Sequence, residues 1–107
     1  MSNRIYDFIK TVTSSGTAVA LSSTNLKVNT AIVQAEHDNT GYILVGGATA
    51  LYPTGRGISL GVPVADTTPP SVVFSSSRDG SNEVDLNDIY IDAETNGDGV
   101  KVVYTLA

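Results

Sequence analysis

The stretch that decides the fold is residues 84–106, VDLNDIYIDAETNGDGVKVVYTL. Its apolar residues alternate or form short β-branched runs, and they do not sustain the i, i+3, i+4, i+7 spacing of a helix. The turn Asn96–Gly99 separates an extended segment ending at Asp92 from a final strand, Val100–Leu106. Because Asn, Asp and Gly tolerate the positive φ of tight turns, this pattern predicts a β-hairpin.

The same pattern continues towards the N-terminus. Val28–Ala35 is expected to be a central strand buried on much of both faces, and to form a hairpin with Tyr42–Val45 across the turn Glu36–Gly41. Eight to nine short strands at this spacing predict an all-β fold, an antiparallel β-sandwich of jelly-roll-like form. The other predicted strands are Ile5–Val12, Thr17–Leu21, Ala48–Tyr52, Gly57–Val62 and Ser71–Ser75.

A chain of 107 residues predicts one core, and residues 14–107 are expected to be a single domain. Residues 1–13 have two interpretations. They form either the first strand of that domain or an arm that adds as a strand to a neighbouring sheet edge. In both cases Ile5 and Ile9 point to one face, while Tyr6 and Phe8 point to the other.

Composition excludes several kinds of chemistry. The chain has no cysteine and one histidine, which excludes disulfides, thiolate metal sites and thiol catalysis. Its net charge is −5, and its six basic residues are scattered, so neither nucleic acid nor an anionic membrane is an expected partner. No apolar run is long enough to span a bilayer as a helix.

Two segments carry possible site chemistry. Asp92–Asp98 resembles the start of a calcium loop, but Val103 stands where such a loop needs Glu, so a plain turn is favoured. Asp85 and Asp88 add nearby carboxylates and leave a weak cation site open. His37 beside Asp38 has the composition of a general-base pair, yet no nucleophile motif accompanies it. The prediction is therefore a protein that is not an enzyme and has no cofactor.

Aromatic and apolar side chains are the candidate interface residues, because tyrosine buries a large area at low entropic cost. The predicted interface set is Ile5, Tyr6, Phe8, Ile9, Tyr42 and Tyr52.

Four motifs are similar to small virion proteins of tailed bacteriophages, in particular capsid cement or decoration proteins. They are TAVAL at 17–21, NTGYILVG at 39–46, DLNDIYIDA at 85–93 and NGDGV at 96–100. The resemblance covers most of the chain from Thr11 to Leu106. Residues 55–70 depart from the compact hairpin that the resemblance leads us to expect.

The resemblance implies a jelly-roll-like cement protein that is made in the host cytoplasm and bound to the outside of the phage head. Its partner would be the major capsid protein, across whose junctions it would stabilise the shell. Self-association is expected, with a trimer favoured over a dimer. The alternative is a head-fibre or tail module that recognises a host receptor or glycan through the loops Glu36–Gly41 and Ser75–Asn82.

Overall fold

The computed structural model describes residues 4–49, 56–63, 68–75 and 84–106. Within these ranges no helix has the length and apolar character needed to cross a membrane. The described residues include one 3-10 turn, Leu86–Asp88, and ten strands. The strands are β1 (Arg4–Thr11), β2 (Val19–Ala20), β3 (Lys27–Val28), β4 (Thr30–Ala35), β5 (Ile43–Gly46), β6 (Ile58–Leu60), β7 (Ser71–Ser75), β8 (Val84–Asp85), β9 (Tyr90–Ala93) and β10 (Gly99–Leu106).

Two four-stranded antiparallel sheets contain eight of the strands. Sheet A has the order β1-β10-β4-β7 and sheet B has the order β2-β9-β5-β6, while β3 and β8 form a short separate pair. The chain moves repeatedly from one sheet to the other, as it does in a double-sheet jelly roll. The predicted all-β, antiparallel sandwich is confirmed.

The core lies between the two sheets and follows from strand alternation. In β4, Ala31, Val33 and Ala35 are buried, and in β5 Ile43 and Val45 face them from sheet B. Because successive side chains of a strand point to opposite faces, β4, β5, β9 and β10 each contribute alternate residues to this cluster. The remaining core members come from the flanking strands and loops, among them Val12, Leu21, Leu60, Leu86, Ile91, Val100 and Val102.

Both predicted hairpins are wrong. The Val28–Ala35 segment supplies β4 of sheet A, but Tyr42–Val45 supplies β5 of sheet B, and the two strands do not pair. The turn Asn96–Gly99 likewise connects β9 of sheet B to β10 of sheet A. Here the loop backbone pairs with Val12 instead: the Val12 N–H donates to the carbonyl of Asp98 at 2.9 Å, and Gly97 donates back to Val12 at 2.8 Å.

Four predicted strands are shorter or interrupted. Gly57–Val62 is reduced to Ile58–Leu60, and the extended segment ending at Asp92 is divided by the 3-10 turn Leu86–Asp88. Thr17–Leu21 is reduced to Val19–Ala20, and Val28–Ala35 is interrupted at Asn29, whose N–H donates to the carbonyl of Thr105 at 2.9 Å. The position of β4 inside sheet A is as predicted, but its burial on both faces is not, since Ile32 is 39% exposed.

Ser71–Ser75 is a strand with the predicted bounds. In the predicted strand Ala48–Tyr52, Ala48 and Thr49 form a turn, and residues 50–52 lie outside the described ranges.

Candidate interaction surface

The first strand belongs to its own domain. Each residue of β1 has a partner in β10, from Arg4 opposite Leu106 to Thr11 opposite Gly99. Of the two interpretations of residues 1–13, the structure has the strand rather than the detached arm for residues 4–11. The other edge of β1 pairs with no strand among the described residues, so its outward N–H and C=O groups form an open edge of sheet A.

The inner face of this edge carries an aromatic cluster that the second sheet covers only in part. The rings of Tyr6 and Tyr104 stack with centroids 5.4 Å apart, and Phe8 meets Tyr104 edge-on at 5.9 Å. All three are half-buried, whereas the aliphatic residues in the middle of the sandwich are fully buried. The edge strand of sheet B, β2, is only two residues long and therefore offers little cover to the eight-residue β1.

A groove of about 360 Å³ opens beside this cluster. Its apolar floor comes from both sides of the sandwich, with Phe8 and Tyr104 from sheet A, and Leu21 and Leu26 from the segment that follows β2. Lys10 and Ser22 lie at its polar border. The groove is therefore amphipathic, and it adjoins the open edge of β1.

The outer face of sheet A carries five exposed aliphatic side chains among polar ones such as Asp7 and Lys101. Ile5 and Ile9 are 72% and 59% exposed on β1, as their predicted alternation with Tyr6 and Phe8 requires. Val103, Ile32 and Val73 stand in register on the three neighbouring strands. We call these five side chains the sheet A face: Ile5, Ile9, Ile32, Val73 and Val103.

The prediction included Ile5 and Ile9 but missed the other three members of the sheet A face. Alternation in the sequence separates Ile32 from Ala31 and Val33, which is the signal that assigns it to the opposite face. That signal does not reveal whether the second face is covered. The expectation of burial on both faces of Val28–Ala35 therefore hid this part of the surface.

The outer face of sheet B, unlike that of sheet A, is partly covered. Leu44 and Asp92 pair across β5 and β9, and both are buried although neither belongs to the core cluster between the sheets. The loop after β1 covers Asp92: the N–H of Gly16 donates to both carboxylate oxygens at 3.1 and 3.2 Å. This cover has no counterpart over the sheet A face among the described residues.

Aspartates of the possible cation site accept hydrogen bonds from backbone N–H groups. Asp98 is buried, and its Oδ2 accepts hydrogen bonds from Thr40 at 3.0 Å and from Gly41 at 2.8 Å. Asp85 accepts from Leu26 at 3.0 Å and Asn87 at 2.9 Å, and these two bonds lower its pKa. Among the described residues no cluster of three or more carboxylate or histidine side chains is placed to hold a metal ion.

The turn at residues 36–41 is held in place by hydrogen bonds to the backbone of Gly99. The side-chain amide of buried Asn39 donates to the carbonyl of Gly99 at 2.9 Å and accepts from its N–H at 3.0 Å. His37 and Asp38 are both exposed on this turn. Partial burial raises the pKa of the neighbouring Glu36, and the charge of Asp38 adds a smaller increase.

The predicted interface residues do not form one surface. Ile5 and Ile9 lie on the sheet A face, and Tyr6 and Phe8 lie beside the groove on the inner side of the same strand. Tyr42 is half-buried just before β5 of sheet B, where its carbonyl accepts from Glu94 at 3.0 Å. Tyr52, and residues 76–82 of the predicted receptor loop, lie outside the described ranges.

Comparison with protein-family models gives no match to this chain. Comparison with curated proteins and with solved structures gives no match either.

Proposed function

We propose that this chain is a viral structural protein, a capsid decoration protein that docks through the sheet A face on the outside of a phage head. The observation that carries the proposal is the exposure of five large aliphatic side chains on one sheet face, whereas Leu44 and Asp92 on the outer face of sheet B are buried. Large aliphatic side chains exposed together on one sheet face of a small domain favour a site for another macromolecule. The proposal assigns the chain no catalytic role and no cofactor.

The size of the surface suits many weak contacts. Strands lie about 4.8 Å apart and advance about 3.4 Å per residue, so the Cα positions of the sheet A face span roughly 14 by 14 Å. Stable interfaces bury about 800 Å² on each partner, and this face alone supplies less. A shell offers the same site many times, so a modest contact at each site suffices to reinforce it when copies are linked or contact more than one coat subunit.

The identity of the proposed partner rests on the sequence resemblance to small virion proteins. The major capsid protein is the proposed binding partner, and the outer capsid surface is the proposed location after synthesis in the host cytoplasm. The chain is proposed to self-associate there. The turn at residues 36–41 is held by hydrogen bonds between Asn39 and Gly99. This supports the proposal of a rigid protein that bridges neighbouring coat subunits.

Binding to phage heads that lack this protein tests the proposal. Ile32→Lys places a charge at the centre of the sheet A face, at a side chain already 39% exposed, and it is expected to abolish binding while the domain stays folded. Ile58→Lys is the matched control, since Ile58 is 49% exposed on the edge strand of sheet B and should leave binding unchanged.

Heat-induced release of DNA from the heads gives a second measurement. Heads that carry the wild-type protein should withstand a higher temperature than bare heads. Equal binding by the two variants would contradict the docking surface. Attachment to host cells without any binding to heads would contradict the decoration role and favour receptor recognition.

A further inference from the structure

We propose that the open edge of β1 binds β1 of a second copy of this chain, so that two sheets A join into one continuous antiparallel sheet centred on Phe8. This dimer goes beyond the proposed function and does not depend on it. A monomer that still binds phage heads would refute the dimer and leave the decoration role standing.

The edge is suited to pairing by its length. Among the described residues β1 has eight residues, whereas β2, β6 and β7, the other edge strands of the two four-stranded sheets, have two, three and five. It contains no proline, and its backbone keeps full register with β10 from one end to the other. A long edge in regular register presents a row of N–H and C=O groups that another strand can pair with.

Charge restricts the register. Residues directly opposite each other in an antiparallel pair lie on the same face of the sheet, and side chains alternate between faces along each strand. When two copies of β1 pair around a two-fold axis, that axis must therefore pass through a residue of β1 and not between two residues. Centring on Asp7 places Asp7 against its own copy and Arg4 against Lys10 of the second copy, which are like charges. Centring on Tyr6 or Ile9 pairs only residues 4–8 or 7–11.

Centring on Phe8 avoids every like-charge pair and keeps most of the strand paired. On the outer face Asp7 then lies opposite Ile9 of the second copy, and Ile5 lies opposite Thr11. On the inner face Phe8 meets Phe8, and Tyr6 meets Lys10. Aromatic pairs and a cation over an aromatic ring are both favourable neighbours at these separations.

The groove supports the same register. An added strand extends sheet A over the space lined by Phe8, Leu21 and Leu26, which sheet B leaves partly open. In the Phe8-centred register the inward residues of that strand include Tyr6 and Phe8 of the second copy. Phe8 of the second copy then packs beside Phe8 of the half-buried aromatic cluster, and Tyr6 of the second copy lies beside Lys10 at the border of the groove. The join also places the sheet A faces of both copies on the same side of the continuous sheet.

Such a strand pair has two-fold symmetry, so it favours a dimer over the trimer expected from the sequence. Light scattering after size exclusion of the full chain should give about 22 kDa, twice the chain mass of 11.1 kDa. Dissociation on dilution then gives the dimer Kd. A monomer at all concentrations, or a trimer, would overturn the proposal.

Opposite charges at position 9 test the register. Ile9→Glu places a carboxylate opposite Asp7 of the second copy at two symmetric places, and should weaken the dimer by about tenfold or more. Within its own chain Ile9 pairs with Lys101, so this variant should fold at least as well as wild type. Ile9→Lys, the matched control, instead faces Asp7 of the second copy favourably and should leave the dimer at least as tight. Equal dimer Kd values for the two variants would refute the register.

Cross-linking gives a second readout, which shows which residues of the two copies lie next to each other. The chain has no cysteine, so a single introduced thiol can form a disulfide only with the same position of another copy. Under oxidation Phe8→Cys should form a covalent dimer, because residue 8 lies on the two-fold axis. Asp7→Cys should form little, and the reverse result would contradict the proposed register.

Discussion

Removing the carboxylate of Asp98 should destabilise the domain more than any change at an exposed carboxylate of the same region. Asp98 is 7% exposed, and its Oδ2 accepts from the backbone N–H groups of Thr40 and Gly41, 58 and 57 residues away in the chain. These bonds join the loop before β10 to the turn before β5. Asp98→Ala removes the acceptor and leaves both donors without it.

The magnitude follows from the burial of the two donors. Gly41 is buried, so its N–H loses a charge-assisted bond without replacement by water, while Thr40 is exposed and water takes over its bond. A buried donor left unsatisfied costs about 1–3 kcal/mol, and a hydrogen bond to a charged group contributes about 1.5–3 kcal/mol. We therefore expect Asp98→Ala to lower the free energy of unfolding by about 2–4 kcal/mol, out of about 5–15 kcal/mol for a domain.

Equilibrium unfolding in urea measures the change, with the m value compared to ensure that the same surface is exposed. Asp98→Asn keeps an acceptor oxygen in place and should cost about 1 kcal/mol. Asp38→Ala removes an exposed carboxylate from the turn that Asp98 binds, and its free energy of unfolding should stay within about 0.5 kcal/mol of wild type. A loss below about 1 kcal/mol for Asp98→Ala would refute the assigned role of this carboxylate.

Three further changes have defined outcomes. Ile43→Ala should lower the free energy of unfolding by about 2–5 kcal/mol, because Ile43 is fully buried, whereas Ile58→Ala at a half-exposed edge position should cost less than about 1 kcal/mol by urea unfolding. Gly99→Ala should cost about 1–3 kcal/mol in a thermal melt, because its new Cβ meets the backbone of β1, while Gly61→Ala meets no atom within 4 Å and should be neutral or stabilising. Backbone hydrogen bonds lower the pKa of Asp85 in the folded state, so its stabilisation is present above the unfolded pKa of about 3.9 and is lost as the pH falls through the folded value. In a plot of the free energy of unfolding against pH, Asp85→Asn should therefore fall less steeply on the acid side than the wild type, and identical slopes would contradict this cause.

The sequence was most informative about strand faces. Alternation separated Ile5 and Ile9 from Tyr6 and Phe8, and the structure places the two pairs on opposite faces of β1. This success has a local cause, since side chains alternate along any strand whatever it pairs with. Fold class follows from the same local pattern repeated along the chain.

Partner strands were harder to predict because turn chemistry is local. Asn, Gly and Asp at residues 96–99 favour a reversal of the chain, but the same residues suit a hairpin within one sheet and a crossing between two sheets. Bonds to distant groups decide between them: Val12 pairs with the loop backbone, and Asp98 binds the turn at Thr40 and Gly41. No spacing within residues 84–106 encodes those partners.

The candidate surface was predictable only in part for the same reason. Ile32, Val73 and Val103 become neighbours through the pairing of β10, β4 and β7, which the sequence did not predict. Their exposure also depends on what covers the outer face of sheet A. Local patterning assigns a side chain to a face, but whether that face lies in a core or at a surface depends on tertiary packing.

The most direct measurement of the central claim is a cryo-electron microscopy reconstruction of phage heads to which the purified wild-type protein has been added. The expected result is regular density on the outside of the shell at the junctions of coat subunits, with Ile32 and Val103 of sheet A turned towards the shell. Bare heads at saturating protein, or bound domains whose sheet A face points to solvent, would contradict the proposed docking surface.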